Sequence, residues 1–103
     1  MIPLTATTPI VLATAPVDFR AGIDGMVARC QHHLQQNPRS GTLYVFINRR
    51  ATMIRILVYD TNGYWLMTKR LSQGRYRGWP ARGQPVSARH AVQLRQLLTG
   101  ALA

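Results

Sequence analysis

Between Thr42 and Leu71 three apolar runs alternate with two short polar turns. The runs are "TLYVFIN", "TMIRILVYD" and "YWLMTKRL", rich in the β-branched and aromatic residues that suit a pleated surface. Connections this short leave room only for antiparallel neighbours, because a parallel pair needs a crossover of a dozen residues or more. The spacing therefore predicts a β-meander. Asn48 to Ala51 forms its first turn and "DTNG", Asp60 to Gly63, its second, with Gly63 free to take a positive φ. In the middle run Ile54, Ile56 and Val58 face one way, and Met53, Arg55, Leu57 and Tyr59 the other. The third run shifts from apolar to basic, which places its far end in solvent.

Two helices are expected around this sheet. In "DFRAGIDGMVARCQHHLQQNP" the apolar positions Ile23, Met26, Val27, Cys30 and Leu34 recur at i, i+3, i+4, i+7 and i+11. Asp18 or Asp24 can cap the start of this long N-terminal helix, and Asn37-Pro38 ends it. A C-terminal helix is expected from Ser87, as N-cap, to about Leu98, docked through Ala91, Leu94, Leu97 and Leu98 and stopped by Gly100. "IVLATAPV" reads as a further strand that Pro16 confines to an edge. Residues 1–9 read as a loose N-terminal arm, and 72–86 as a basic Gly/Pro/Arg loop. The fold class expected is α+β: one domain over 1–103, an antiparallel sheet of three to five strands, the long helix on one face and the C-terminal helix beside it.

A chain of 103 residues buries roughly 65% of its unfolded surface, enough for a core without staples. No apolar run approaches the roughly 20 residues that span a bilayer. The start "MIPLTATTPIVLATAPVDF" lacks the basic residues of a signal peptide, and the single cysteine, Cys30, excludes an internal disulfide. A cytoplasmic protein is expected.

Charge gives the functional clue. The net charge is +10, from 13 basic and 3 acidic residues; Lys69 is the sole lysine and Glu is absent. Arginine's planar fork favours phosphate or carboxylate, and little inside the chain can neutralise these side chains. A polyanionic partner, nucleic acid first, follows from that balance.

Enzyme chemistry finds few residues to work with. A two-metal phosphoryl-transfer site needs about three converging carboxylates, and Asp18, Asp24 and Asp60 are better explained by helix starts and a turn. His32 and His33 point about 100° apart on a helix, and with Cys30 and His90 give no zinc spacing. Cys30 lies on the apolar stripe, as an inert core thiol. Neither a nucleophile elbow nor a phosphate-binding Gly-rich loop occurs. No metal, cofactor or small-molecule substrate is expected.

The arginines form the positive pattern. In a meander Arg49 and Arg50 lie at the same sheet edge as Lys69 and Arg70, and Arg75, Arg77 and Arg82 follow directly. Tyr76 and Trp79, interleaved among them, offer stacking surfaces of the kind that bind single-stranded or distorted nucleic acid. These nine residues are the candidate nucleic-acid site. Arg55 stands apart: it can instead lie across the sheet and reach Asp60 or a carbonyl.

The ordered set "VDFR", "GIDGM", "NPRSG", "YVFINRR", "IRILVYD", "GYWLMTKRL", "GRYRGWP" resembles the TnpB-type accessory proteins, second-reading-frame products of the insertion-sequence-66 family of bacterial transposable elements. The resemblance runs from about Leu12 to Gly100. It implies a non-catalytic role in DNA transposition beside a large transposase, with that transposase and other proteins of the element as partners. It supplies no catalytic residues. It places Asp18, Arg20 and Asp24 at the helix start, Arg49, Arg50, Lys69 and Arg70 at the sheet edge, and Trp79-Pro80 at the close of the basic loop. The chain departs from the family at "KRLS", where members usually carry Glu in place of Ser72, so this basic edge is less neutralised. The leading expectation is an accessory protein that binds DNA, with weak sequence preference, and helps the transposase assemble. The alternatives are a protein–protein adaptor that meets acids on the transposase, and a nuclease built on Asp18, Asp24 and Asp60.

Overall fold

A computed structural model describes residues 5–100. Its elements are β1 (Ile10–Ala13), α1 (Ile23–His32), β2 (Leu43–Ile47), β3 (Met53–Asp60), β4 (Gly63–Arg70), β5 (Val86–Arg89) and α2 (Ala91–Gly100). They form one five-stranded sheet in the order β4-β3-β2-β1-β5. The meander β2-β3-β4 is antiparallel as its short turns require, and β2 is the central strand with every residue buried. The fold is α+β.

Several expectations need correction. β1 is an interior strand: it pairs in parallel with β2 and antiparallel with β5, and Pro16 lies beyond its end. The sheet is therefore only mostly antiparallel. The long N-terminal helix shrinks to ten residues. Asp18 does not cap it, because its carboxylate accepts from the backbone and side chain of Arg20, two residues on; Gly22 holds the N-cap position with no side-chain bond. At the other end Gln35 adopts φ 53°, and the Leu34 and Gln36 N–H groups donate to the carbonyls of Arg29 and Cys30, which turns the chain out of the helix before Asn37.

Ser87 starts no helix but sits in β5. α2 begins after His90, whose N–H donates to Gln93 Oε1 at 2.8 Å, a side chain reaching back to its own helix start. In the "DTNG" turn Thr61, not Gly63, takes the positive φ, at 51°. Residues 1–4 of the expected arm, and whatever follows Gly100, lie outside the described residues; Thr5 to Thr8 form a turn closed by threonine hydroxyls.

Period-two alternation gives each interior strand two apolar faces. Ile10, Leu12, Leu43, Val45, Ile47, Ile54 and Val58 point to one, where Ala91 and Leu94 of α2, Leu71 and Tyr76 cover them. Ala13, Tyr44, Phe46 and Leu57 point to the other, covered by Met26 and Cys30 of α1 with Val17, Phe19 and Leu34. The two helices thus sit on opposite faces of the sheet, not side by side. Each face needs its own cover, because both are apolar. Burial pushes the Cys30 thiol up to about 11, consistent with an inert core group. No helix among the described residues is long and apolar enough to cross a membrane.

Candidate nucleic-acid interface

The β2–β3 turn is built by one side chain. Asn48 Oδ1 accepts from the N–H groups of Thr52 and Met53 at 2.8 and 3.0 Å, and its Nδ2 donates to Thr52 Oγ1 at 3.0 Å. Ala51 takes φ 57° to close the turn. With Asn48 holding the turn, Arg49 and Arg50 stand at the tip, exposed.

Two further segments meet this turn. The Val17 N–H donates to the Ile47 carbonyl at 2.9 Å, which carries residues 17–20 beside the turn. The Leu71 N–H donates to Thr52 O at 3.0 Å and the Tyr76 N–H to Ala51 O at 2.7 Å, which docks the basic loop on the turn's other side. The predicted gathering of basic residues at one end of the sheet therefore exists: Arg49, Arg50, Arg70, Arg75, Arg77 and Arg82 are all exposed around it. None forms an ion pair with an acid among the described residues.

The end carries two adjoining clefts that share Asn48 and Arg49. One, of about 440 Å³, is lined by Val17, Asp18, Phe19, Arg20, Asn48, Arg49, Arg50 and Met53. The other, of about 280 Å³, lies between the turn and Trp79, Pro80 and Arg82. Arg20 is the residue that sequence reasoning left at the helix start and the structure brings to the site. Only the parallel β1–β2 pairing reveals it, since that pairing sets the chain leaving β1 against the end of β2. Arg20 Nη2 and Asp18 Oδ2 form a 2.7 Å ion pair. Hydrogen bonds from Arg20, with a smaller pull from Arg49, lower the Asp18 carboxyl to about 2.

Three of the predicted site residues have other tasks. Tyr76 is 4% exposed, its ring packed in the core beneath α2 and its hydroxyl donating to Lys69 O at 3.4 Å; it offers no stacking face. Lys69 sits opposite Ile54, on the α2 face, and donates to Leu98 O at 3.5 Å, away from the arginines. Trp79 is half-buried, with Nε1 donating to Ala13 O at 3.0 Å, and its remaining surface walls the second cleft. These bonds, with Thr14 N–H to Pro85 O at 3.1 Å, anchor the loop, which spans 72–85 because Val86 already belongs to β5.

Arg55 reaches a carbonyl, as one expectation had it, but that of Ala21 and not Asp60. Asp60 accepts from Trp65 Nε1 at 3.1 Å at the opposite end of β3 from Arg49. Asp18, Asp24 and Asp60 thus occupy a pre-helical turn, the first turn of α1 and a distant hairpin. The three carboxylates that a nuclease would need on one site therefore do not converge, since Asp60 lies at the far end of β3. Among the described residues no three His, Cys, Asp or Glu side chains gather as a metal site would need.

Residues 8–102 match the family described as IS66 Orf2 like protein. The uncharacterized protein y4hO of Sinorhizobium fredii (strain NBRC 101917 / NGR234) is 34% identical over 100 residues, covering 97% of this chain and 86% of that one. The uncharacterized protein y4jC of the same organism is 39% identical over 67 residues, covering 65% of this chain and 57% of that one. No solved structure matches. With nearly its whole length matched, the chain belongs to the IS66 Orf2-like family of insertion-sequence proteins.

Proposed function

We propose that the chain is a non-catalytic accessory protein of transposition that binds DNA through the arginine-bearing end of its sheet. The observation that carries this reading is the convergence of three separate segments on one end: residues 17–20, the β2–β3 turn, and the loop after β4. Among the described residues their exposed arginines lack acids to pair with, apart from the Arg20–Asp18 pair. A guanidinium cluster of this kind is stabilised by phosphates, which also tolerate its spread along a backbone. The half-buried wall of Trp79 adds an apolar surface beside Arg49 and Arg82. Arginines that only position a backbone read little sequence, so weak sequence preference follows.

Fluorescence anisotropy with an element-end duplex, a scrambled duplex and a single strand, each across a salt series, tests this. About six phosphate contacts give a log–log salt slope of about −5. Absence of binding at low salt by the folded protein would overturn it, and would direct the same arginines to acids on the transposase.

A further inference from the structure

We propose that β4 pairs with β4 of a second copy of this chain, antiparallel and centred on Met67, so that two sheets join across one edge. β4 is a sheet edge of eight residues, twice the length of β5 at the other edge. Natural edges are blunted by bulges, proline, brevity or charge. β4 pairs one-to-one with β3 throughout, without bulge or proline, and carries charge only at Lys69 and Arg70. It also holds two of the chain's large exposed apolar side chains, Trp65 at 48% and Met67 at 38% exposed.

The backbone fixes which residues can pair outward. The Leu71 N–H bonds to Thr52 O, and antiparallel ladders alternate bonded and non-bonded positions. Trp65, Met67 and Lys69 therefore direct their backbone groups to β3, while Tyr64, Leu66, Thr68 and Arg70 direct theirs away. A two-fold axis through Met67 sets Leu66 against the partner's Thr68, and Tyr64 against the partner's Arg70. All outward groups then bond to outward groups, and each copy keeps its faces aligned with the other's.

The side chains agree with that register. Both cations lie at the C-terminal end of β4, so antiparallel pairing keeps like charges apart. Trp65 falls opposite the partner's Lys69 at a non-bonded position, where Cα atoms approach to about 4.5 Å. Tyr64 falls opposite the partner's Arg70. Each cation meets an aromatic ring, and Met67 meets its own copy. On its own chain Lys69 is held by the 3.5 Å bond to Leu98, a weak tie that leaves it able to turn outward.

Two copies of a +10 chain repel, so this association strengthens with added salt, the reverse of DNA binding. That opposite sign separates failure of this proposal from failure of the DNA reading. Sedimentation velocity from micromolar to millimolar protein, at low and high salt, is expected to show a monomer–dimer equilibrium shifting to dimer at high salt. Met67→Lys sets two lysines face to face and should abolish the dimer while circular dichroism stays unchanged; Met67→Leu should retain it. Met67→Cys should form a disulfide-linked dimer under mild oxidation, whereas Val92→Cys, on an exposed position of α2, should not. A monomer at every concentration and salt, a Met67→Lys dimer, or equal cross-linking at 67 and 92 would overturn the proposal. A monomer whose β4 amides gain protection only with another protein would overturn it too, and give the edge to a foreign strand.

Discussion

The guanidinium of Arg55 lies over the ring of Phe19, 4.8 Å from its centroid, and two hydrogen bonds run from it to Ala21 O at 2.8 Å and Thr68 Oγ1 at 3.0 Å. One side chain on β3 therefore ties the segment before α1 to the outer strand β4. This explains an arginine inside an otherwise apolar run: its charge meets a π face, a carbonyl and a hydroxyl, and no external anion is needed. The same contact holds Phe19, and with it the wall of the larger cleft, in place.

Arg55→Met should accordingly lower stability by about 2 kcal/mol, from two charge-assisted hydrogen bonds and a cation–π contact partly offset by the retained stem. Chemical denaturation measures it. Arg55→Lys should recover only part of the loss, because one ammonium cannot reproduce the fork. A neutral effect of Arg55→Met would show the contact to be incidental.

Arg49 and Arg50 behave in the opposite way. Their side chains are exposed at a turn whose geometry is set by Asn48. Arg49→Gln with Arg50→Gln should leave stability within about 0.5 kcal/mol, the range for surface changes. The salt slope of DNA binding should become shallower by about two, since each phosphate no longer neutralised removes about 0.9. An unchanged slope would remove these two residues from the interface.

Asp18 carries a pH signature. Its folded pKa of about 2 lies below the ordinary 3.8, so its ionised form is favoured by folding. The stabilisation is present above about 3.8 and is lost as pH falls toward 2. Melting temperature measured from pH 5 to pH 2 should fall less steeply for Asp18→Asn than for the native chain. The same variant releases Arg20, so DNA affinity at neutral pH should rise. Parallel pH profiles, or weaker binding, would contradict this.

What the sequence showed and what it hid divide along a physical line. The meander, its two turns and the alternation of Ile54 through Val58 are local patterns, and all appear where expected. So does the clustering of arginines at the β2–β3 turn, since meander geometry alone brings it about. The parallel β1–β2 pairing and the short strand β5 depend on contacts far apart in sequence, and no periodicity announces them. Arg20's place in the cleft was hidden for that reason. Tyr76 misled differently: amid arginines it looked like a stacking surface, yet an aromatic that fills the core reads the same in a sequence as one that faces solvent.

Thr61 sits at φ 51°, a conformation unfavourable for a β-branched residue. It is exposed at the tip of the β3–β4 turn, so its side chain anchors nothing that glycine would lose. Thr61→Gly or Thr61→Asn should stabilise the protein by about 1 kcal/mol. Denaturant midpoints at unchanged slope would establish it. A destabilised Thr61→Gly would mean that the turn relies on threonine's stiffness.

Trp79 bears on how the basic loop is held. Its Nε1–H bond to Ala13 O spans the loop and β1, so Trp79→Phe keeps most of the apolar contact and deletes only that bond. The expected loss of stability is about 1 kcal/mol, the typical worth of one hydrogen bond. The loop should then detach more often than the sheet unfolds, because surface loops open locally at a lower cost than core strands. Limited trypsin digestion reads this directly: Arg75, Arg77 and Arg82 are exposed cleavage sites whose protection depends on the loop staying docked. Faster cleavage there in Trp79→Phe, with the β-meander still intact, would identify the indole as the latch that presents these arginines. Unchanged cleavage would leave that task to Tyr76 and its bond to Ala51.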